Sequence, residues 1–143
     1  MRAKLGLTLT LALVGLLVLV PGAASNAAPN AWDAPITLST VGEDAFNPRL
    51  VSDGTTITAI WQRFDGSNDR VQASSSTDGG TIWGPAVDLS AVGEDAFGPE
   101  LVTDGTTITA TWRRFDGSNF RVQASSSTDG GTTWSTPAPS SIA

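Results

Sequence analysis

The sequence predicts an all-β protein made of two four-stranded antiparallel blades of propeller type. Three observations predict it. The chain repeats itself at an offset of 51 residues, each copy carries strand and turn signals for four strands, and no stretch after residue 27 has apolar residues at helical spacing. Trp32, Trp83 and Trp134 mark the period. Val41–Phe46 recurs as Val92–Phe97, Asp53–Ala59 as Asp104–Ala110, and Phe64–Asn68 as Phe115–Asn119. Roughly three quarters of the paired positions are identical, so whatever one copy forms the other is expected to form too. Repeat one spans 40–90 and repeat two 91–141, and a lone copy of the fourth strand, 32–39, stands before them.

Turn chemistry divides each copy. Asp53-Gly54 is a tight hairpin signal between a short strand at Pro48 to Ser52 and a long one from Thr55 to Phe64. Asp65-Gly66-Ser67-Asn68 turns the chain into a third strand, Arg70 to Ser75, and Asp78-Gly79-Gly80 turns it into a fourth, Thr81 to Leu89. The long strand sets Ile57, Ala59 and Trp61 on one face and Thr56, Thr58 and Ile60 on the other. Both faces can pack, as a sheet between two neighbours requires. Four short strands in about 50 residues is the size of a propeller blade.

The third turn is the most specific signal. Ser127-Thr128-Asp129-Gly130-Gly131-Thr132-Thr133-Trp134 resembles the Asp-box, S-x-D-x-G-x-T-W, at every defined position. Ser76-Thr77-Asp78-Gly79-Gly80-Thr81-Ile82-Trp83 departs from it only at Ile82. Asp in a tight turn accepts bonds from nearby backbone N–H groups, Gly supplies positive φ, and Trp is expected to fold its ring over the hairpin. On these two motifs the chain resembles the sialidase-like BNR-repeat propellers. The resemblance implies that the box joins the third and fourth strands of each blade, on the rim and away from any catalytic face. It implies a structural role for Ser76, Asp78, Gly80, Trp83, Ser127, Asp129, Gly131, Thr133 and Trp134.

The catalytic set that the resemblance implies is not matched. Family sialidases use a tyrosine nucleophile with a glutamate, an aspartate acid/base and three arginines that clamp a carboxylate. This chain has no tyrosine. Outside the leader its arginines are Arg49, Arg63, Arg70, Arg113, Arg114 and Arg121, four of them paired by the repeat (Arg63 with Arg114, Arg70 with Arg121). The family's Arg-Ile-Pro motif is missing, and Asn47-Pro48-Arg49-Leu50 has another order. Without histidine there is no imidazole base. A two-carboxylate glycosidase needs two different environments to split two pKa values, and near-identical repeats supply equal ones. The expectation is a non-catalytic module with no catalytic residue. A sialidase- or exo-glycosidase-related enzyme fragment and a structural repeat of a larger surface protein are the alternatives.

A ligand face is expected opposite the Asp-boxes, where Glu43, Asp44, Phe46, Asp65 and Asn68 recur as Glu94, Asp95, Phe97, Asp116 and Asn119. Acid, aromatic and amide groups together suit a shallow site for a sugar or a calcium ion. The alternative is a solvated loop with a capping Asp and a buried Phe. Calcium needs about six to eight oxygens at one point, which two carboxylates per copy do not establish, so no cofactor or metal is assigned. Trp61 and Trp112 share a face with Ile57, Ala59, Ile108 and Ala110, which favours core packing over sugar stacking.

The N-terminus reads as a secretory signal peptide, 1–27. A basic start at Arg2 and Lys4 precedes an apolar run from Leu5 to Val20, Pro21-Gly22 breaks it, and small residues follow to Ala27. Cleavage after Ala24 and a retained anchor are the alternatives. Without Arg2 and Lys4, six of the eight cationic side chains remain against fourteen carboxylates, a net charge of −8. Such a surface does not seek nucleic acid or anionic lipid, and with no cysteine the secreted domain, 28–143, has no disulfides. Two blades do not close a propeller. Either the chain is a fragment of a longer product, or copies assemble, three of them giving a six-bladed ring. The fourth-strand copy at 32–39 keeps Ile36 and Leu38, whereas the copy after Trp134 has Ala138 and Ser140 beside Pro137 and Pro139.

Overall fold

The computed structural model describes residues 33–137. The expected signal segment, Trp32 and residues 138–143 lie outside them. Among the described residues there are seven strands and no helix: β1 (Ala45–Ser52), β2 (Ile57–Phe64), β3 (Asp69–Ser76), β4 (Val87–Asp88), β5 (Ala96–Thr103), β6 (Ile108–Phe115) and β7 (Phe120–Ser127). They form two antiparallel meanders, β1-β2-β3-β4 and β5-β6-β7. Among the described residues the second sheet thus has three strands, where four were expected; the positions that repeat Val87–Asp88, 138–139, lie outside the described residues. The fourth strand of the first sheet is also shorter than the expected Thr81 to Leu89, because Thr81–Ile82 is folded into the turn after Asp78 and pairing begins only at Val87.

The turns form where Asp and Gly place them. Asp53 N–H donates to the Thr56 carbonyl and the Asp53 carboxylate accepts the Thr56 N–H at 2.9 Å. Asp104 repeats this at Thr107. Each first strand carries a bulge, between Phe46 and Arg49 and between Phe97 and Glu100. The residue inside it has positive φ, Asn47 at 50° and Gly98 at 59°. Glycine meets that demand freely, and asparagine is among the few side chains that tolerate it.

The sheets stack with unlike faces together. Pairing of Ile60 with Ala73 and of Gln62 with Val71 puts these four on one face of the first sheet. That face meets Ala110 and Trp112 of the second sheet, whose counterparts Ala59 and Trp61 lie on the other face of the first. Ile60, Val71, Ala73, Ala96, Ala110 and Trp112 are buried there, and Leu89 closes the cluster just beyond β4. Both tryptophans are core residues rather than surface platforms, with Trp61 4 % and Trp112 2 % exposed. Where the stacked sheets touch at their first strands, Arg49 and Glu100, equivalent positions of the two copies, form a two-pronged ion pair at 3.0 and 3.1 Å.

Trp112 is the largest side chain in this cluster, and cavity formation adds to lost burial when such a group is removed. Trp112→Ala should cost about 3–5 kcal/mol. Urea unfolding followed by tryptophan fluorescence reads it; an unchanged midpoint would contradict the packing described.

Candidate functional site

Antiparallel strands send the turns to opposite ends of each sheet. One end carries the loops 40–44 and 91–95 with the turns 65–68 and 116–119. The other carries the Asp hairpins 76–84 and 127–135.

At the second end the hairpins are built alike. Ser76 Oγ donates to the Asp78 carboxylate at 2.7 Å and accepts the Gly80 N–H at 2.9 Å. The same Asp78 oxygen accepts the N–H groups of Thr81 and Ile82 at 3.0 and 2.9 Å. Ser127, Asp129, Gly131 and Thr133 repeat the pattern. Thr133 adds a hydroxyl bond to Asp129 at 2.6 Å, which Ile82 cannot make. Each tryptophan donates its indole N–H to the glycine carbonyl three residues back, Trp83 to Gly80 and Trp134 to Gly131, both at 3.0 Å. Trp134 packs onto the core, whereas Trp83 lines an outward cleft with Thr77, Pro85 and Thr132. Gly131 is held tightly: a Cβ there would lie 2.0 Å from Ser75 Oγ of the first sheet. One oxygen of each aspartate thus gathers the groups that hold the turn.

At the first end the structure brings the expected ligand residues together, and most of their carboxylates are held by arginines, by turn N–H groups or by one another. Arg63 binds Glu43, and Arg114 binds Glu94. The Arg63 guanidinium holds the Glu43 carboxyl below its usual range. Asp65 accepts the N–H groups of Asn68 and Ser67, which lower its pKa. Asp116 is pushed down to about 2, first by Arg121 and then by the N–H groups of Asn119 and Ser118. Asp95 ties the sheets to each other by accepting Asn68 Nδ2 at 3.1 Å and the Asp69 N–H at 3.0 Å. Among the described residues no three His, Cys, Asp or Glu side chains converge as metal ligands would.

The aromatic positions differ between the copies. Phe46 is 45 % exposed, while Phe97 packs edge-on against Phe120 at 6.1 Å. Phe120 also touches Phe115, and the Arg113 guanidinium lies 5.3 Å above its ring. Sequence inspection missed this cluster because Phe120 stands where the first copy has Asp69, so the repeat pattern did not select it. Its only signal was being one of the few positions inside a strand at which the copies disagree in chemistry.

The fold and these two ends define a class: an all-β repeat protein of stacked antiparallel sheets whose polar ends are knitted by Asp turns and Arg–carboxylate pairs. No protein-family model matches the chain, and a search of curated proteins gave no match.

Two carboxyls with folded pKa values lowered to about 2, Asp116 and Asp129, set an acid limit. Their unfolded value is the ordinary 3.8, so the unfolded chain takes up protons first as pH falls, and the stability they confer is present above 3.8 and lost on the way down to about 2. The melting temperature should therefore drop across that window. Asp129→Ala should melt lower at neutral pH and lose less on acidification. A pH series of thermal melts compares the two slopes.

Proposed function

We propose that this chain is a secreted, non-catalytic repeat module of β-propeller type that binds glycan or other extracellular surface groups through the end formed by 40–46, 65–68, 91–97 and 116–119. The observation that carries the reading is the state of the carboxylates. Glu43, Glu94, Asp65 and Asp116 are each neutralised by an arginine or by turn N–H groups, in matching ways in both copies. A hydrolytic acid and base must have unlike environments, and duplicated ion pairs do not give them. No tyrosine or histidine is present to replace them.

What supports binding at this end is the exposed Phe46 ring, in a groove with the hydroxyl-bearing Thr37 and Ser39, since sugar sites combine a flat apolar surface with a few fixed polar groups. The unlike-face stacking of the two sheets, with a turn pattern resembling the Asp-box at one end only, supports the propeller assignment. Secretion rests on the leader-like first 27 residues. Among the described residues no helix is long and apolar enough to cross a membrane.

A glycan array probed with the purified chain is expected to give a restricted set of hits, and Phe46→Ala should reduce them at least tenfold while leaving the melting temperature within a few degrees. A fluorogenic sialoside should not be turned over. Turnover abolished by one carboxylate substitution would replace this reading with the enzyme.

A further inference from the structure

The two copies have nearly the same residues and very different surroundings. Val71 is fully buried and its counterpart Val122 is 78 % exposed. Ala73 is buried and Ala124 is exposed, and Arg70 is buried while Arg121 is exposed. All three exposed residues lie on β7. On β1 the imbalance runs the other way: Ala45 and Leu50 are exposed where Ala96 is buried and Leu101 half-buried. The second sheet lacks a cover for the face that the second sheet itself covers on the first. The opposite face of the first sheet is open at Ala45 and Leu50, although Ala59 and Trp61 on the same face are buried.

The described part of each edge differs as well. In the first sheet β4 pairs with β3, Ala73 opposite Val87 and Gln72 opposite Asp88. The Val71 carbonyl then accepts the Leu89 N–H at 2.8 Å, Val71 N–H donates to Ser90 Oγ at 3.0 Å, and Arg70 donates to the Ser90 carbonyl at 2.6 Å. Among the described residues β7 has no such neighbour, and Arg121 turns back to Asp116 instead. Another copy of these pairing groups stands near the start of the described residues. Ile36, Thr37, Leu38 and Ser39 stand one repeat before Val87, Asp88, Leu89 and Ser90. They pair with no strand, and Leu38 lies in a groove with Phe46, Pro48, Ala59 and Trp61, on the face of the first sheet that matches the face of the second against which Leu89 packs.

We propose that β7 and the exposed face of the second sheet bind a second copy of this chain, head to tail, with the Pro35–Ser39 segment of that copy pairing as the fourth strand of the second sheet. The register follows from β4: Ala124 opposite Ile36 and Gln123 opposite Thr37 of the other copy. Leu38 then stands for Leu89 in the core, and Ser39 for Ser90 against Val122 and Arg121. Charge agrees with this placement. Glu100 already pairs with Arg49 across the first contact, and the second contact sets Glu100 beside the Arg49 of the next copy, so the two signs alternate. Asp44, which makes no side-chain hydrogen bond among the described residues, takes the place of Asp95 and accepts from Asn119 and the Phe120 N–H. A face that repeats an interface already formed inside the chain has its shape set by that interface, and a heterologous contact of this kind closes into a ring when the angle suits. Ring size rests on the propeller reading: propellers hold about four to eight blades, and three copies give six. The contact itself does not depend on that reading.

The chain contains no cysteine, so a designed pair reports on this register alone. Residues opposite each other on antiparallel strands lie about 4.5–5.5 Å apart at Cα, within disulfide range. Thr37→Cys with Gln123→Cys, purified and oxidised, should give an intermolecular disulfide on a non-reducing gel. Light scattering of the unaltered chain should give a finite multiple of the mass of one chain, three copies being the expected number. Val122→Asp alters a side chain that is solvent-facing in a single copy, so it should keep the β circular dichroism spectrum and fall to the mass of one chain. A folded, monodisperse monomer of the unaltered chain would overturn the proposal, whereas glycan binding by that monomer would leave the proposed function standing. An oligomer whose cysteine pair stays reduced would overturn the strand exchange.

Discussion

The structure depends on one contact, the packing of Ile60, Val71 and Ala73 of the first sheet against Ala110 and Trp112 of the second. Each meander is too thin to bury a core by itself. The two together exclude water only because the faces that meet are different, one aliphatic and one carrying a tryptophan beside alanines. Small residues at 73, 96 and 110 let the backbones approach, and the indole fills the space they leave. A like-to-like contact would oppose two tryptophans or two flat faces and would pack neither well.

That asymmetry has consequences for everything polar. Because front meets back, equivalent residues of the two copies come side by side, and a position can interact with its own repeat partner. Arg49 and Glu100 show it: the duplication gave two equivalent sites, and opposite charges at them make an ion pair across the stack. Asp95 shows it differently, by reaching from the loop of one copy to the Asn68 turn of the other. The end that looked like a row of ligand carboxylates is, in good part, stitching between loops. Left to face outward at this end are the Phe46 ring and the Asp44 carboxylate.

The Asp hairpins at the other end follow from local sequence. A buried serine hydroxyl and an aspartate gather the N–H groups of a short turn and anchor an indole over it. The copies differ at Ile82 and Thr133, and the additional hydroxyl bond coincides with a stronger hold on the Asp129 charge. Gly131 meets the neighbouring sheet closely, whereas the nearest atom to a Cβ on Gly80 is Ile57 of its own sheet at 3.5 Å. The same turn is therefore a free surface in one copy and part of a packed seam in the other.

What the sequence by itself determined is whatever depends on neighbours along the chain. The positions of the Asp-Gly turns, the alternation of Ile57, Ala59 and Trp61 with Thr58 and Ile60, the core role of both tryptophans and the hydrogen bonding of Asp78 and Asp129 were all legible, because turn chemistry and the two-residue period of a strand are local. The shortness of the fourth strand in the first sheet was not legible, because strand length is set by when pairing with β3 resumes after the turn. Tertiary structure alone decided which carboxylates are spent on arginines, that Phe120 gathers Phe97, Phe115 and Arg113, and which copy of each repeated residue is buried. Identical sequences carry no information about which of them has a neighbour. Burial belongs to the order of the sheets in space: Val71 and Ala73 have the second sheet against them, whereas Val122 and Ala124 on the matching face of the second sheet are exposed.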